Sequence, residues 1–275
     1  MRKKRWNVMT YSKKDDRPLV SVITPSYNCS SFIPETIKTV QDQTYFNWEM
    51  IIVDDQSKDD SVSIINSYAE HDSRIRIIPL SKNVGAARAR NIAIKEANGK
   101  YIAFLDSDDL WLPTKLEQQV AFMQKGNLAF SFTSYSLIDE EGKSLDVEVK
   151  APKEVDYKHL IGNTTIGCLT VMLDRLQFKH IEMPDIQPED TALWLLLLRQ
   201  GYKAHGLPKV LSKYRIVSNS TSRNKFKAAY RYWKLLRRQE KLNFVKANFY
   251  FSKYAYNAYN KNRGSQPASL LNGGK

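Results

Sequence analysis

A chain of 275 residues, 42% hydrophobic and 26% charged, is long enough to bury a full α/β core. No apolar run approaches the roughly 18 residues that span a bilayer, and the longest, LWLLLL at 193–198, reads as a core helix. The net charge of +13 is divided unevenly: 1–17 hold seven Lys/Arg against two acids, 191–275 hold eighteen against Glu240 alone, and the stretch between is net −9. An acidic body with basic ends suggests one site for a cation and separate surfaces that meet an anion.

The start, MRKKRW, is basic but leads into no apolar stretch, so no secretory signal is expected. Strand-like runs follow at 19–24 (LVSVIT), 48–54 (WEMIIVD), 75–80 (IRIIPL) and 100–106 (KYIAFLD), with amphipathic helical stretches at about 31–43, 60–71 and 84–97 between them. Strands apolar on both faces, alternating with helices, predict βαβ units and a parallel sheet. Pro113 opens a further helix to about 125. Beyond it, FSFTSY reads as a strand, DEEGKSLD as a hairpin turn and IGCLTVML (166–173) as another strand. EDTALWLLLLRQG (189–201) reads as a helix closed by Gly201, VLSKYRIV as a strand, and about 223–262 as one or two helices. The expected organisation is a basic extension (1–17), a catalytic domain (18–218) and a basic, aromatic-rich helical extension (219–275).

In an open α/β sheet, ligands sit at the carboxyl ends of the strands. The turn after the first strand, TPSYN, lacks the glycines of a dinucleotide site. Asp54 and Asp55 follow the second strand, and Asp106, Asp108 and Asp109 follow the fourth. Five carboxylates at one sheet end call for a cation, and Mg²⁺ or Mn²⁺ takes one or two carboxylates plus substrate phosphates. The alternative is that these Asp and Ser residues only shape loops and helix caps. Cys29 and Cys168 give neither a disulfide framework nor metal spacing, which suits a cytoplasmic protein, so the sequons at Asn28, Asn163 and Asn219 carry no weight. His71, His159, His180 and His205 are scattered without ligand spacing.

SVITPSYN, VDDQS, NVGAARARN and FLDSDDLW, in this order, resemble glycosyltransferase family 2 over roughly residues 18–215. LIGNTTIGCLTVMLD (160–174) and KFKAAYRYWK look like the members that build bacterial teichuronic acid and capsule. The resemblance implies the GT-A fold, a Rossmann-like, mostly parallel sheet flanked by helices. It also implies transfer of a sugar, with inversion, from a nucleotide-sugar to a saccharide or lipid-linked acceptor. By position, Thr24, Tyr27 and Asp55 match residues that hold the nucleoside, usually uridine. Arg90 matches a residue near the diphosphate, and Arg88 can share that task, although a solvated helix face explains both arginines as well. Asp106 and Asp108 match the Asp-x-Asp pair. Asp108 is the expected direct ligand of Mg²⁺ or Mn²⁺, and Asp106 the expected partner of the ribose or of the metal site. Asp190 matches the general base that deprotonates the acceptor hydroxyl, against the plain preference of acids for a first helical turn. The Gln-x-x-Arg-Trp motif of processive members is missing after Asp190, so a single sugar is added, and Trp194 is acceptor wall or core.

Lys227, Arg231, Lys234, Arg238 and Lys241 recur along one helical face, with Phe226, Tyr230, Trp233 and Leu236 on another. That pattern fits a helix on an anionic membrane surface, and equally one that packs its aromatics on the domain. Two other classes remain: a nucleotidyltransferase, which would need a Gly-rich basic loop in place of TPSYNCSS, and a nucleic-acid-binding protein. The latter leaves the acidic cluster idle, and nucleic acid is not an expected partner.

Overall fold

The computed structural model describes residues 17–217 and 225–264. The expected basic extension up to residue 16, Asn219 and the end of the C-terminal tail lie outside the described residues. The first half of the chain alternates as its pattern predicts: β1 (Val20–Ser26), α1 (Ile33–Gln41), β2 (Trp48–Asp54), α2 (Ser61–His71), β3 (Ile75–Pro79), α3 (Ala86–Glu96) and β4 (Tyr101–Phe104). There follow β5 (Leu110–Trp111), α4 (Lys115–Gly126), β6 (Phe130–Ile138), β7 (Ser144–Val149), β8 (Glu154–Val155) and α5 (Tyr157–Leu160). Then come β9 (Met172–Asp174), α6 (Glu189–Arg199), β10 (Ala204–Arg215), α7 (Lys225–Lys234) and α8 (Phe244–Gly264).

The strands form one sheet in the order β3-β2-β1-β4-β9-β6-β10-β5, with β7 on β6 and β8 on β10. β3, β2, β1 and β4 are all parallel. The second half is mixed: β9 runs antiparallel to both β4 and β6, while β10 pairs parallel to β6 and antiparallel to β5. The expected parallel order therefore runs unbroken only through the βαβ half; beyond α4 a hairpin turn at Asp139–Lys143 joins β6 to β7, and β9 enters antiparallel between β4 and β6. After β3 the chain crosses back over β2 and β1 to lay β4 on the other side of β1. The strand order thus reverses between β1 and β4, where a ligand crevice opens in such sheets.

Alternate residues of the central strands feed two cores. Val22, Met50, Ile52 and Ala103 face α1, α2 and α4 through Ile37, Ile65 and Val120. Ile23, Ile51, Val53 and Phe104 face α3, α6 and the C-terminal helices through Ala89, Ala93, Trp194 and Leu235. β1 and β4 lie close because Gly99 lacks a side chain: a Cβ there would meet Ser21 N at 2.7 Å and Leu19 O at 2.8 Å.

The stretch 166–173 is extended only at its end. Cys168–Thr170 is a turn of 3₁₀ helix, held by Thr170 Oγ1 donating to Gly167 O (2.6 Å). The carbonyls of Leu169 and Thr170 accept from Trp111 Nε1 (2.9 Å) and Gln119 Nε2 (2.9 Å) rather than from a strand. Side-chain donors thus replace the ladder. Trp194 is core: it is buried between Phe104 and Phe130, at ring separations of 5.4 and 5.2 Å.

The C-terminal helices share the body's core. Tyr232, Leu235, Leu236 and Ala247 are fully buried against it, and Tyr232 Oη donates to Ile161 O (3.0 Å). Glu240, the one acid after Asp190, is paired with Arg199 of α6 and accepts from Tyr157 Oη (2.5 Å). Between α7 and α8, Leu235–Gln239 form a π-helical turn.

Candidate active site

The carboxyl ends of β1, β2 and β4 open into a cleft of about 710 Å³. Its floor is Pro25–Tyr27, Asp55 and Asp106–Asp109; its far wall is Gly167–Leu169 and Gln187–Asp190; and Ala228, Arg231 and Tyr254 of α7 and α8 close it. Of the residues singled out in the sequence, Tyr27, Asp55, Arg90, Asp106, Asp108 and Asp190 meet here. Thr24 and Arg88 do not line the cleft. Thr24 is buried within β1, its hydroxyl without a hydrogen-bond partner among the described residues. Arg88 projects outward and pairs with the equally exposed Asp185 at 2.6 Å.

Asp54 and Asp55 divide the work at the end of β2. Asp54 ties strands together, accepting from Ser57 N (2.9 Å) and from the hydroxyls of Ser57 (2.5 Å) and Ser26 (3.1 Å). Asp55 accepts from Val84 N (2.6 Å) and Gly85 N (2.8 Å), which fixes the loop before α3 against the cleft. Gly85 caps α3 at φ +87, a conformation that favours glycine.

Arg90, on the inner face of α3, is buried and bridges Asp106 Oδ1 (2.6 Å) and Glu189 Oε1 (2.8 Å). One guanidinium thus links the end of β4 to the head of α6. Asp108 makes no ion pair with a described residue; burial first, then the Asp106 charge, pushes its carboxyl up to about 6. Asp109 is fully buried and accepts from Arg215 N (2.9 Å), and burial with the charges of Asp108 and Asp106 pushes it up as well. Asp190 is raised to about 6 by burial and by neighbouring Glu189, against a hydrogen bond from Thr191 N.

Sequence reasoning missed three parts. Arg215, at the end of β10, donates to Asp108 O (2.8 Å), Glu140 O (2.9 Å) and Glu35 (2.5 Å), and so holds the acidic turn. Its only signal was a charged residue ending an apolar strand. Tyr135 lines the cleft, its hydroxyl raised to about 12 by burial and by Asp109 and Asp190. Tyr254 enters from a helix with no motif.

Among the described residues, no three His, Cys, Asp or Glu are grouped to hold a metal by themselves. Two carboxylates on one turn, one of them free of ion pairing, fit Mg²⁺ or Mn²⁺ whose remaining ligands come from a bound diphosphate.

A Rossmann-like half-sheet with an Asp-x-Asp turn at its switch point, completed by a mixed second half, is the GT-A architecture of nucleotide-sugar transferases. The chain belongs to glycosyl transferase family 2, whose profile matches residues 21–170, and it is a glycosyltransferase. It is 49% identical over 246 residues to the Bacillus subtilis glycosyltransferase TuaG, named for teichuronic acid biosynthesis, covering 89% of this chain and 98% of that protein. It is 41% identical over 222 residues to WfgD of Escherichia coli, named as a UDP-Glc:α-D-GlcNAc-diphosphoundecaprenol β-1,3-glucosyltransferase, covering 80% and 86%. Among solved structures, TarS 1–349 of S. aureus in complex with UDP-GlcNAc matches with a TM-score of 0.68 at 19% identity, over 88% of this chain and 72% of that one. Family membership sets aside the nucleotidyltransferase and nucleic-acid-binding readings.

Proposed function

We propose that this enzyme transfers one sugar at a time, with inversion, from a UDP-sugar to a lipid-linked saccharide in surface polysaccharide synthesis, at the cytoplasmic face of the membrane. The observation that carries the reading is the Arg90 bridge, 2.6 Å to Asp106 and 2.8 Å to Glu189. It draws Asp106 of the acidic turn and Glu189, the neighbour of Asp190, to one guanidinium, and both segments line one cleft. Inversion requires the leaving group and the base to lie on opposite sides of the anomeric carbon. The names of TuaG and WfgD support the pathway and the kind of acceptor, and the TarS complex supports a UDP donor.

In this reading Tyr27 and Asp55 hold the uridine, with Thr24 shaping the strand beneath it. Arg90 and Asp106 orient the diphosphate side, and Arg88 screens it from outside. Asp106 and Asp108 hold Mg²⁺ or Mn²⁺, which stabilises the charge of the departing nucleoside diphosphate. Asp190 takes the proton of the acceptor hydroxyl as it attacks. Arg215 keeps Asp108 in place through its carbonyl.

The test is a screen of nucleotide-sugars by thermal stabilisation, hydrolysis and transfer, with and without EDTA. A UDP-sugar is expected to raise Tm only with metal present, and Asp108→Asn is expected to lower turnover by about a hundredfold or more without loss of fold. Turnover unchanged by EDTA or by Asp108→Asn would remove the metal from the reaction.

A further inference from the structure

The basic face of α7 does not simply meet solvent. Lys227, Arg231, Lys234 and Arg238 line a pocket of about 540 Å³, walled opposite by Val84–Ala87 at the start of α3. The pocket opens onto the catalytic cleft, since Gly85, Ala86, Gln187, Glu189 and Arg231 line both. Its two acids are already engaged, Asp185 by Arg88 and Glu189 by Arg90. Four basic side chains, Lys227 and Arg231 among them with contacts of their own, line this one cavity, an arrangement that suits a compact anion with several oxygens.

Tyr230 lines this pocket and also a second, apolar groove of about 330 Å³ between α7 and α8, bounded by Trp233, Phe244 and Phe251. Anion pocket, aromatic groove and catalytic cleft are thus contiguous. One molecule has chemistry that matches all three in sequence: a sugar, a diphosphate and a prenyl chain.

We propose that the Lys227/Arg231/Lys234/Arg238 pocket receives the diphosphate of a polyprenyl-diphosphate acceptor, and that the aromatic groove receives its first prenyl units. This rests on the lipid-linked acceptor proposed above and assigns it a place. The sugar then extends through the shared wall at Gly85–Ala86 toward Asp190. The donor diphosphate keeps its own site at Asp106 and Asp108, so the two anions bind without exclusion.

The experiment is calorimetry of the full chain with farnesyl diphosphate, inorganic diphosphate and UDP, in EDTA for the first two so that Asp108 plays no part through metal. Wild type is expected to bind farnesyl diphosphate whether or not UDP is present. Lys227→Ala/Lys234→Ala/Arg238→Ala is expected to weaken that binding at least tenfold while UDP affinity, measured with Mn²⁺, stays within twofold as the check on folding. Tyr230→Ser is expected to weaken farnesyl diphosphate but not inorganic diphosphate. Unchanged farnesyl diphosphate affinity in the triple variant overturns the proposal. So does displacement of farnesyl diphosphate by UDP, which would give the pocket to the donor. Loss of binding to phosphatidylglycerol vesicles with farnesyl diphosphate affinity intact would make the cations a membrane-facing patch instead. Failure of the donor reading shows separately, as absence of UDP binding by wild type.

Discussion

At the head of α6, burial and Glu189 raise Asp190 to about 6. As the proposed general base it must be ionised, so kcat is expected to fall about tenfold per pH unit below about 6. The same shift acts on stability with a definite sign. A carboxyl raised above its unfolded value binds its proton more tightly in the folded chain, so its stability contribution falls as pH rises from about 4 through 6. Asp190→Asn removes that loss. The variant is expected to lose transfer yet melt several degrees higher than wild type at pH 7.5, since a rise from about 4 to about 6 is worth up to about 3 kcal/mol and each kcal/mol moves Tm by about 2–4 °C in a chain of this size. At pH 4 the two should melt together. Scanning calorimetry at both pH values checks the sign, and a variant no more stable at pH 7.5 than at pH 4, relative to wild type, contradicts it. That Asp106, Asp108 and Asp190 would line one cleft was readable because strand ends and a helix start are visible as pattern breaks in the sequence. Arg215 was not, because its role depends on β10 lying beside β5 and bringing residue 215 to Asp109 across 106 positions.

Helix α6 is apolar on nearly every side, and the structure explains why: the sheet covers one flank and the C-terminal helices another. Glu240 ties the two together through Arg199 and Tyr157. Removing a buried charged partner leaves the others unsatisfied, at a cost of roughly 1–3 kcal/mol. Glu240→Ala is therefore expected to lower Tm by several degrees and to expose the segment after about 217 to limited proteolysis, while Glu240→Gln, which keeps a hydrogen-bond acceptor, does so less. Equal protease resistance in all three proteins would mean that apolar packing of Tyr232 and Leu235 suffices alone. The βαβ half was readable element by element because β1, β2 and β4 are buried on both faces and its helices are amphipathic. IGCLTVML was not, because apolar residues at 166–173 look like a strand whether their carbonyls pair with a ladder or with Trp111 and Gln119.

Among the described residues, the basic C-terminal share of the charge split takes a definite place in the fold, but its partner could not be read in the sequence. A periodic basic face looks the same on paper whether it meets lipid headgroups, solvent or a pocket wall. Folding turns part of it toward the catalytic cleft, while Phe226 and Phe249 stand 89% and 64% exposed on the outside. No helix among the described residues is long and apolar enough to cross a membrane. In the membrane-facing reading proposed above, two forces would act together: each Lys or Arg near an anionic leaflet contributes about 1 kcal/mol, and that share is screened as the Debye length shrinks from about 10 Å at 0.1 M salt to about 3 Å at 1 M. Burial of exposed aromatics in the interface is not screened in this way. Sedimentation with phosphatidylglycerol vesicles is expected to fall severalfold between 0.1 and 1 M salt yet leave a remainder. Phe226→Ser/Phe249→Ser should abolish that remainder while sparing most of the low-salt binding. If the remainder survives the double substitution, the exposed aromatics do not touch the bilayer; if high salt removes all binding from wild type, the attachment is electrostatic alone.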